Sequence, residues 1–333
     1  MKKNIFVLGL LLVCCSCNDS KVMREQVLPA ILNGEIYTTM PGDLLLVDDY
    51  VVWSDPFSSD YFLHVMDGMT GEEIGVMGKM GQGPFEFVTP MVSALTIDNK
   101  IRAIDVNGTS GGYFSIDSLL KYKEPLIEYI PFSEEEKQQG MNKLDDGIYI
   151  GNTENDNSDY FCLVTGDNHQ TTFGNYPIKE IHQHIGGSLT YDRTSGLLAF
   201  AAYDIPYIAL YEKEEDTFIT KWEVDMKNVD YEIIDDRLNF DRKRTGINAL
   251  CMTKDYIVTL QRDYSTDNVD ETTVGRDASK CTHTVFLYDY NSELKKIVDL
   301  GMPIIRIAAD RRSNTLYAIG VNPDFVLAKY ELK

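Results

Sequence analysis

Basic side chains are concentrated in two segments of a strongly acidic chain. The chain has 52 acidic residues against 31 lysines and arginines, and its formal net charge is −21. Residues 226–246 and 261–283 nevertheless contain Arg237, Arg242, Arg244, Arg262, Tyr264 and Arg276. A guanidinium group can form two parallel hydrogen bonds with a carboxylate or a phosphate, and it can hold a sugar acid in the same way. We therefore predict that these side chains bind a ligand.

The same arginines also have acidic neighbours along the chain. These neighbours are Asp235, Asp236, Asp241, Asp263 and Asp277. An arginine that pairs with such a neighbour serves the local structure instead of a ligand. Both interpretations stay open at this stage.

Two aromatic residues are further candidates for ligand binding. Trp53 and Tyr203 each end a predicted strand. We expect both ends on the side of the molecule that also carries residues 226–246 and 261–283. An aromatic ring at such a place can stack on a ligand. For Trp53 the alternative is packing within the fold.

Metal binding is not supported by the spacing of possible ligands. His182 and His184 could act with Glu180, but no third and fourth protein ligand is recognisable. The acidic segment 152–159 lacks the glycine and the final glutamate of an EF-hand loop. We predict no metal ion and no other cofactor.

Catalytic residues are also not evident from any motif. Glu86, Asn107 and Asn152 are loose candidates for a metal-dependent hydrolase or lyase of the lactonase-like propeller type. We therefore predict that the protein is not an enzyme, and this enzyme class is the alternative.

The first 17 residues have the three parts of an export signal. Lys2 and Lys3 precede the apolar run 5–13, and small residues follow. The run is too short to span a bilayer, which needs about 20 apolar residues. The Ser16 and Cys17 pair resembles a bacterial lipobox, so we predict cleavage before Cys17 and lipidation of Cys17. Plain secretion is the alternative.

This processing predicts where the protein lies. We expect it in the cell envelope at the outer membrane, on either the periplasmic or the surface side, with residues 18–26 as a linker. Its acidic surface repels nucleic-acid phosphates and anionic lipids. We therefore expect no nucleic-acid partner, and contact with the membrane only through the lipid.

Six copies of one hairpin pattern organise the rest of the chain. Each copy is an apolar strand, a turn rich in Asp, Asn or Gly, and a second apolar strand. The copies cover residues 44–55, 93–105, 142–152, 188–201, 247–260 and 304–320. A repeat of about 50 residues suits the four-stranded blade of a β-propeller.

A second strand pair follows each hairpin except the last. The sixth unit ends after its third strand at 325–332, and residues 27–39 could supply the missing strand. The prediction is an all-β fold: a six-bladed β-propeller of four-stranded antiparallel blades, closed by an N-terminal strand, in one domain over 27–333. Two stacked β-sandwiches are the alternative. We expect helix only as a turn or two at 133–140 and at 235–242.

Three cysteines remain after Cys17, and they have no CxxC spacing. They are Cys162, Cys251 and Cys281, which is neither a disulfide scaffold nor a zinc site. Cys251 and Cys281 fall on strands two places apart in one predicted blade. That separation of about 9.6 Å exceeds the reach of a disulfide, so we expect free thiols.

The link between the first two blades carries a resemblance to a known family. It reads GVMGKMGQGPFEFVTP at 75–90 and resembles the G-x-x-G-x-G-P-x-E-F-x-x-P signature of the TolB-like six-bladed propeller lipoproteins of Bacteroides, and more distantly NHL repeats. Residues 173–177 and 304–333 are similar to the same family. The resemblance implies the fold but no catalytic residue. The glycines and prolines shape the crossing, and Phe85 and Phe87 are expected to fill the gap between blades.

The irregular segments of the chain all fall on one face of the predicted disc. One face of the disc carries the turn between the first and second strands of each blade and the turn between the third and fourth strands. We call it the turn face. The opposite face, with the second-to-third strand loops and the links between blades, is the loop face. The long insertions 79–91, 178–187, 226–246 and 261–283 belong to the loop face. We predict that this face binds a glycan, a peptide or an envelope protein; a scaffold subunit of an envelope complex is the alternative.

Overall fold

Short apolar strands separated by tight polar turns arrange the chain around a central channel. The computed structural model describes residues 22–33, 36–93, 95–96, 99–122, 124–133, 136, 141–153, 158–166, 169–178, 184–203, 205–224, 231–234, 237–240, 246–266 and 277–333. The strands form six antiparallel blades of a β-propeller. The predicted fold is therefore confirmed. Five of the six hairpins lie at the predicted places, whereas the first strand of the second hairpin is Pro90–Val92, just before the predicted start at residue 93.

The N-terminal strands and the first two blades come first in the chain. The N-terminal strands are β1 (Met23–Gln26) and β2 (Ala30–Asn33). Blade 1 consists of β3 (Leu44–Val47), β4 (Tyr50–Ser54), β5 (Tyr61–Asp67), β6 (Glu73–Met80) and the short β7 (Glu86–Phe87). Blade 2 consists of β8 (Pro90–Val92), β9 (Lys100–Asp105), β10 (Gly111–Ser115) and β11 (Ile130–Pro131), with helix α1 (Ile116–Tyr122) before β11.

The next two blades are regular four-stranded sheets. Blade 3 consists of β12 (Asn142–Asp145), β13 (Ile148–Asn152), β14 (Phe161–Thr165) and β15 (His169–Phe173). Blade 4 consists of β16 (Gly187–Asp192), β17 (Leu197–Ala202), β18 (Ile208–Glu214) and β19 (Thr217–Glu223). A separate hairpin follows, with β20 (Tyr231–Ile234) and β21 (Arg237–Phe240).

The last two blades complete the ring. Blade 5 consists of β22 (Ala249–Met252), β23 (Ile257–Leu260), β24 (Thr284–Tyr288) and β25 (Leu294–Asp299), with a 3-10 helix at Ala278–Lys280. Blade 6 consists of β26 (Ile304–Ala308), β27 (Thr315–Val321) and β28 (Phe325–Glu331). Its fourth strand is β2, which pairs antiparallel with β28 and places Ala30 opposite Lys329.

Two further local elements differ from the sequence-based expectations. Residues 116–122 form a helix instead of part of a strand, because Ile116 and Leu119 are three residues apart and are both buried. Tyr231–Ile234 and Arg237–Phe240 are paired antiparallel strands, whereas a helical turn was expected over 235–242. In the sequence the two strands are separated by two aspartates, and a two-residue polar connection favours a hairpin. The other expected helical segment, 133–140, lies mostly outside the described residues.

The expected linker over 18–26 is also in part a strand. β1 adds to the outer edge of blade 5 and runs parallel to β25, with Met23 opposite Lys296 and Gln26 opposite Asp299. Two ion pairs hold it in place. Arg24 Nη1 lies 2.5 Å from the Asp263 carboxylate, and Lys296 Nζ lies 3.0 Å from that of Glu25. The N-terminal segment therefore covers the open edges of two blades, which would otherwise offer unpaired backbone groups.

Aromatic side chains fill the space between blades 1 and 2. The ring of Phe87 is fully buried, 4.9 Å from that of Phe62 and 5.3 Å from that of Tyr129. Gly78 has a φ of +70°, and a Cβ atom there would lie 2.3 Å from the Phe62 ring. The link thus needs glycine both for its backbone angle and for space. This agrees with the structural role expected for the glycines and for Phe87.

The packing of the link predicts that its two phenylalanines, Phe85 and Phe87, contribute unequally to the free energy of unfolding. Phe87→Ala should lower the free energy of unfolding by about 3–5 kcal/mol, because it leaves a cavity in a closely packed cluster. Phe85 is 39% exposed. Phe85→Ala should therefore cost about 1 kcal/mol or less. Denaturant titration of both variants measures the difference, and equal losses would contradict the packing described for the link.

Candidate functional site at the central channel

The innermost strands of four blades surround a cavity in the central channel. β3, β16, β22 and β26 line it, and its volume is about 330 Å³. This volume is at the lower end of the range for small-molecule sites, about 300–1,000 Å³. Polar side chains lie at both ends of the channel, and the two ends differ in how these side chains are paired.

Asp43 and Arg306 lie at the loop-face mouth of the channel. Asp43 directly precedes β3, and its backbone N–H donates to Ser54 Oγ at 2.8 Å. Arg306 lies in the middle of β26. Its Nε donates to the Gly42 carbonyl at 2.6 Å and its Nη1 to the Ile305 carbonyl at 2.9 Å. These bonds orient the guanidinium towards the segment that enters blade 1.

The Asp43 carboxylate has an unusual environment for a charged group. Burial raises the pKa of this carboxyl, and the nearby positive charge of Arg306 offsets the increase in part. Among the described residues, nothing donates a hydrogen bond to the carboxylate, and the two side chains do not form an ion pair. A half-buried carboxylate without donors is costly to keep in a folded protein.

Tyr203 covers the same mouth from blade 4. It follows β17, and its backbone bonds to the Gly186 carbonyl and the Gly246 amide, both at 2.9 Å. Burial and the negative charge of Asp43 raise the pKa of its phenol, and the charge of Arg306 lowers it. The three side chains therefore lie within electrostatic reach of one another. The side chain of Tyr203 is 47% exposed, so its ring is accessible.

Cys281 lies near the same group of charges. Burial raises the pKa of its thiol, while the positive charges of Arg262 and Arg306 lower it. Arg262 Nη2 donates to the Lys280 carbonyl at 2.6 Å. Cys251 is buried on β22, and burial raises the pKa of that thiol as well. Both cysteines are free thiols.

The turn-face end of the channel is crossed by an arginine that is paired with side chains of two other blades. Arg311 of blade 6 reaches over the ring of Tyr290 in blade 5, with its guanidinium carbon 4.1 Å from the ring centre. Its Nη1 donates to Ser195 Oγ at 2.9 Å and lies 3.4 Å from the Asp192 carboxylate, both in blade 4. Arg311 therefore ties three blades together at this end.

The structure places the predicted site residues in different surroundings. Trp53 is only 4% exposed, and its ring stacks on that of His64 at 4.2 Å. This favours the packing interpretation for Trp53. Tyr203 and Arg262 lie near the channel mouth, whereas Tyr264 is 40% exposed in the loop that follows β23. Arg242, Arg244, Arg276 and the side chain of Arg237 lie outside the described residues, so their ligand-binding role stays a prediction.

Two of the aspartates that were expected to pair with neighbouring arginines are paired with other basic residues. Asp263 is 5% exposed and pairs with Arg24 of the N-terminal strand. Burial opposes ionisation of Asp263, but hydrogen bonds from Ser265 and the charge of Arg24 lower its pKa. Asp277 accepts hydrogen bonds from the Ser279 amide and hydroxyl and lies near Lys280. The described charged partners of these two aspartates are therefore Arg24 and Lys280.

Two of the candidate residues for an enzyme site, Glu86 and Asn107, have structural contacts on the loop face. Glu86 accepts from the Gly83 amide at 2.7 Å and lies 3.3 Å from Lys79 Nζ. Asn107 Nδ2 donates to Thr89 Oγ1 at 2.8 Å. Within the described ranges, no group of three or more His, Cys, Asp or Glu side chains could hold a metal ion.

The histidine pair considered as a metal ligand is described only in part. His184 Nε2 lies 2.7 Å from the Thr153 carbonyl, and the His184 ring packs against those of Tyr160 and Tyr176. His182 and Glu180 lie outside the described residues.

Sequence reasoning missed Asp43 and Arg306. One signal was present, since Arg306 interrupts the apolar pattern of an innermost strand, IIRIA. A charged side chain in such a strand has to face the channel or another polar group. Asp43 carried no comparable signal, because an acidic residue just before a strand is ordinary.

Comparisons with known proteins support the fold. The chain matches no protein-family model and no curated protein. Its structure is similar to that of a Bacteroides fragilis protein described as exported, with a TM-score of 0.54, 14% identity, and coverage of 93% of this chain and 99% of that chain. It is also similar to the structure of a DUF4221 family member from Bacteroides vulgatus, with a TM-score of 0.53 and 12% identity. That similarity covers 94% of this chain and 98% of that chain. The chain is thus a six-bladed β-propeller with structural neighbours in Bacteroides.

Among the described residues, no helix is long and apolar enough to cross a bilayer.

Proposed function

We propose that the protein is a non-enzymatic binding module of the cell envelope that holds its ligand at the loop-face mouth of the central channel. The observation that carries the proposal is the cavity of about 330 Å³ lined by Asp43, Arg306 and Tyr203. Two charged groups with spare hydrogen-bonding capacity and an accessible aromatic ring are the usual components of a binding site. The ligand is a glycan, a peptide or an envelope protein.

The envelope location in this proposal rests on three features. Residues 1–17 have the pattern of a lipoprotein signal, and one structural neighbour is described as an exported protein. The link at 75–90 resembles that of the TolB-like propeller lipoproteins of Bacteroides. We propose that Cys17 is lipidated and anchors the propeller to the outer membrane.

The direction of β1 sets how such an anchor would hold the propeller. β25 is the outermost strand of blade 5 and runs from the turn face to the loop face, and β1 runs parallel to it. The chain before Met23 therefore leaves the blade on the turn-face side. Cys17 is six residues earlier, which is about 20 Å at full extension. The lipid would hold the turn-face side near the membrane, and the channel mouth would point away from it.

Blocking the mouth tests the binding proposal. Asn248 is exposed and lines the cavity, so Asn248→Trp should fill the mouth with an indole ring. Asn291 is an exposed residue of a turn-face turn in the same blade, so Asn291→Trp is a matched control. On arrays of defined glycans and synthetic peptides, the first variant should lose binding and the second should keep it. Equal binding by both would place the ligand elsewhere.

Lipidation can be tested with neighbouring cysteines. Cys17→Ser should abolish the incorporation of labelled palmitate and release the protein from the membrane fraction, because it removes the predicted acceptor thiol. Cys14→Ser is the matched control and should retain both. Continued labelling of the Cys17→Ser variant would show that the lipid acceptor is another residue.

Orientation can be tested on vesicles that contain a quencher attached to lipid headgroups. A fluorophore introduced by Asn291→Cys at the turn face should be quenched more strongly than one introduced by Asn248→Cys at the mouth. Both variants carry Cys281→Ser to remove the half-buried native thiol. The reverse order of quenching would contradict the orientation, while failure to bind vesicles would contradict the anchor itself.

A further inference from the structure

The two charged groups at the channel mouth have unused hydrogen-bonding capacity. A guanidinium has five N–H donors, and Arg306 uses its Nε and one N–H of Nη1 on the carbonyls of Gly42 and Ile305. A carboxylate can accept about four hydrogen bonds. In the described part of the chain nothing donates to that of Asp43. Spare donors and spare acceptors thus face the same space.

The separation of these two groups restricts what can fill that space. They are close enough for Arg306 to affect the ionisation of Asp43, but they do not form an ion pair. An anionic ligand group would suit Arg306 and be repelled by Asp43, and a cationic group would have the opposite problem. A ligand therefore has to donate to Asp43 and accept from Arg306 at the same time, and a neutral group with both functions does so without burying a further charge.

Adjacent hydroxyl groups meet this requirement better than a peptide bond does. Each hydroxyl has one donor and two acceptor lone pairs, and two neighbouring hydroxyls point to the same edge of a sugar ring. In a trans peptide the N–H and the C=O point in opposite directions, so one peptide unit cannot serve both side chains from one edge. The accessible ring of Tyr203 provides an apolar surface for the C–H face of a sugar.

We infer that the mouth binds a neutral saccharide, whose neighbouring hydroxyls bridge Asp43 and Arg306 while its ring packs on Tyr203. This inference rests on the proposed function and narrows its ligand to one chemical class. Ser188 and Asn248 also line the cavity and can hydrogen-bond further hydroxyls. Arg311 crosses the opposite end of the channel, so the sugar is expected to enter from the loop face.

Substitution of a carboxylate that binds a ligand should have opposite effects on the stability of the protein and on ligand binding. Asp43→Asn keeps the shape of the side chain and removes a charge that is half-buried without donors. The melting temperature should therefore stay the same or rise, while saccharide binding weakens. Asp145→Asn is the matched control, because this turn-face carboxylate is paired with Arg193 and does not line the cavity. It should lower the melting temperature and leave binding unchanged.

The experiment uses saturation-transfer NMR on the whole processed chain. The probes are methyl α-D-glucopyranoside, methyl α-D-mannopyranoside and methyl α-D-galactopyranoside, with N-acetyl-trialanine amide as the peptide comparison. At least one glycoside should receive saturation, and the peptide should not. Asp43→Asn and Tyr203→Ala should each raise the dissociation constant by about tenfold or more. Tyr203→Phe keeps the ring and should change it by about twofold or less.

Three results would overturn the inference, and they separate it from the proposed function. The first is that no glycoside receives saturation. The second is that Asp43→Asn lowers the melting temperature and leaves glycoside binding unchanged. The third is that a peptide binds and Asn248→Trp abolishes that binding, in which case the mouth is a binding site for another ligand class. If Asn248→Trp affects no ligand at all, the proposed function is itself wrong.

Discussion

The structure depends on closure of the ring. Closure is achieved by backbone pairing between the N-terminal strands and the last two blades. The last blade has only three strands of C-terminal sequence, and its open edge would leave a row of unpaired backbone groups. β2 supplies the partner for β28, and β1 covers the edge of blade 5. The first and last parts of the chain must therefore meet before either blade is complete.

Closure also creates the candidate site. After β2 the chain crosses the loop face and enters blade 1 through Gly42 and Asp43. Arg306 of blade 6 donates to the Gly42 carbonyl, a contact that joins residues 264 positions apart. The mouth of the channel thus lies at the seam between the first and the last blade. The same bond that fastens the seam orients the guanidinium towards Asp43.

Much of the fold could be predicted from the sequence, because strands and tight turns leave local patterns. The six hairpins and the closing strand follow from apolar alternation and turn residues. β1 could not be predicted, since Met23–Gln26 is polar and is held by partners such as Asp263 and Lys296 that are distant in the chain. Helix α1 depends on burial of Ile116 and Leu119 against blade 1. The placement of Asp43 and Arg306 at the same mouth depends on closure of the ring, which leaves no pattern in the local sequence.

The two ends of the channel show how the same residue types serve structure in one place and are available for binding in another. At the turn face, Arg311 has a carboxylate, a hydroxyl and an aromatic ring as partners, so its charge is compensated within the protein. At the mouth, and among the described residues, Arg306 is held only by backbone carbonyls and the Asp43 carboxylate has no donor. The fold could have paired these two charges directly, as it does for Asp192 and Arg311. Their separation costs stability, and that cost is understandable if a ligand with both donors and acceptors completes the hydrogen bonds.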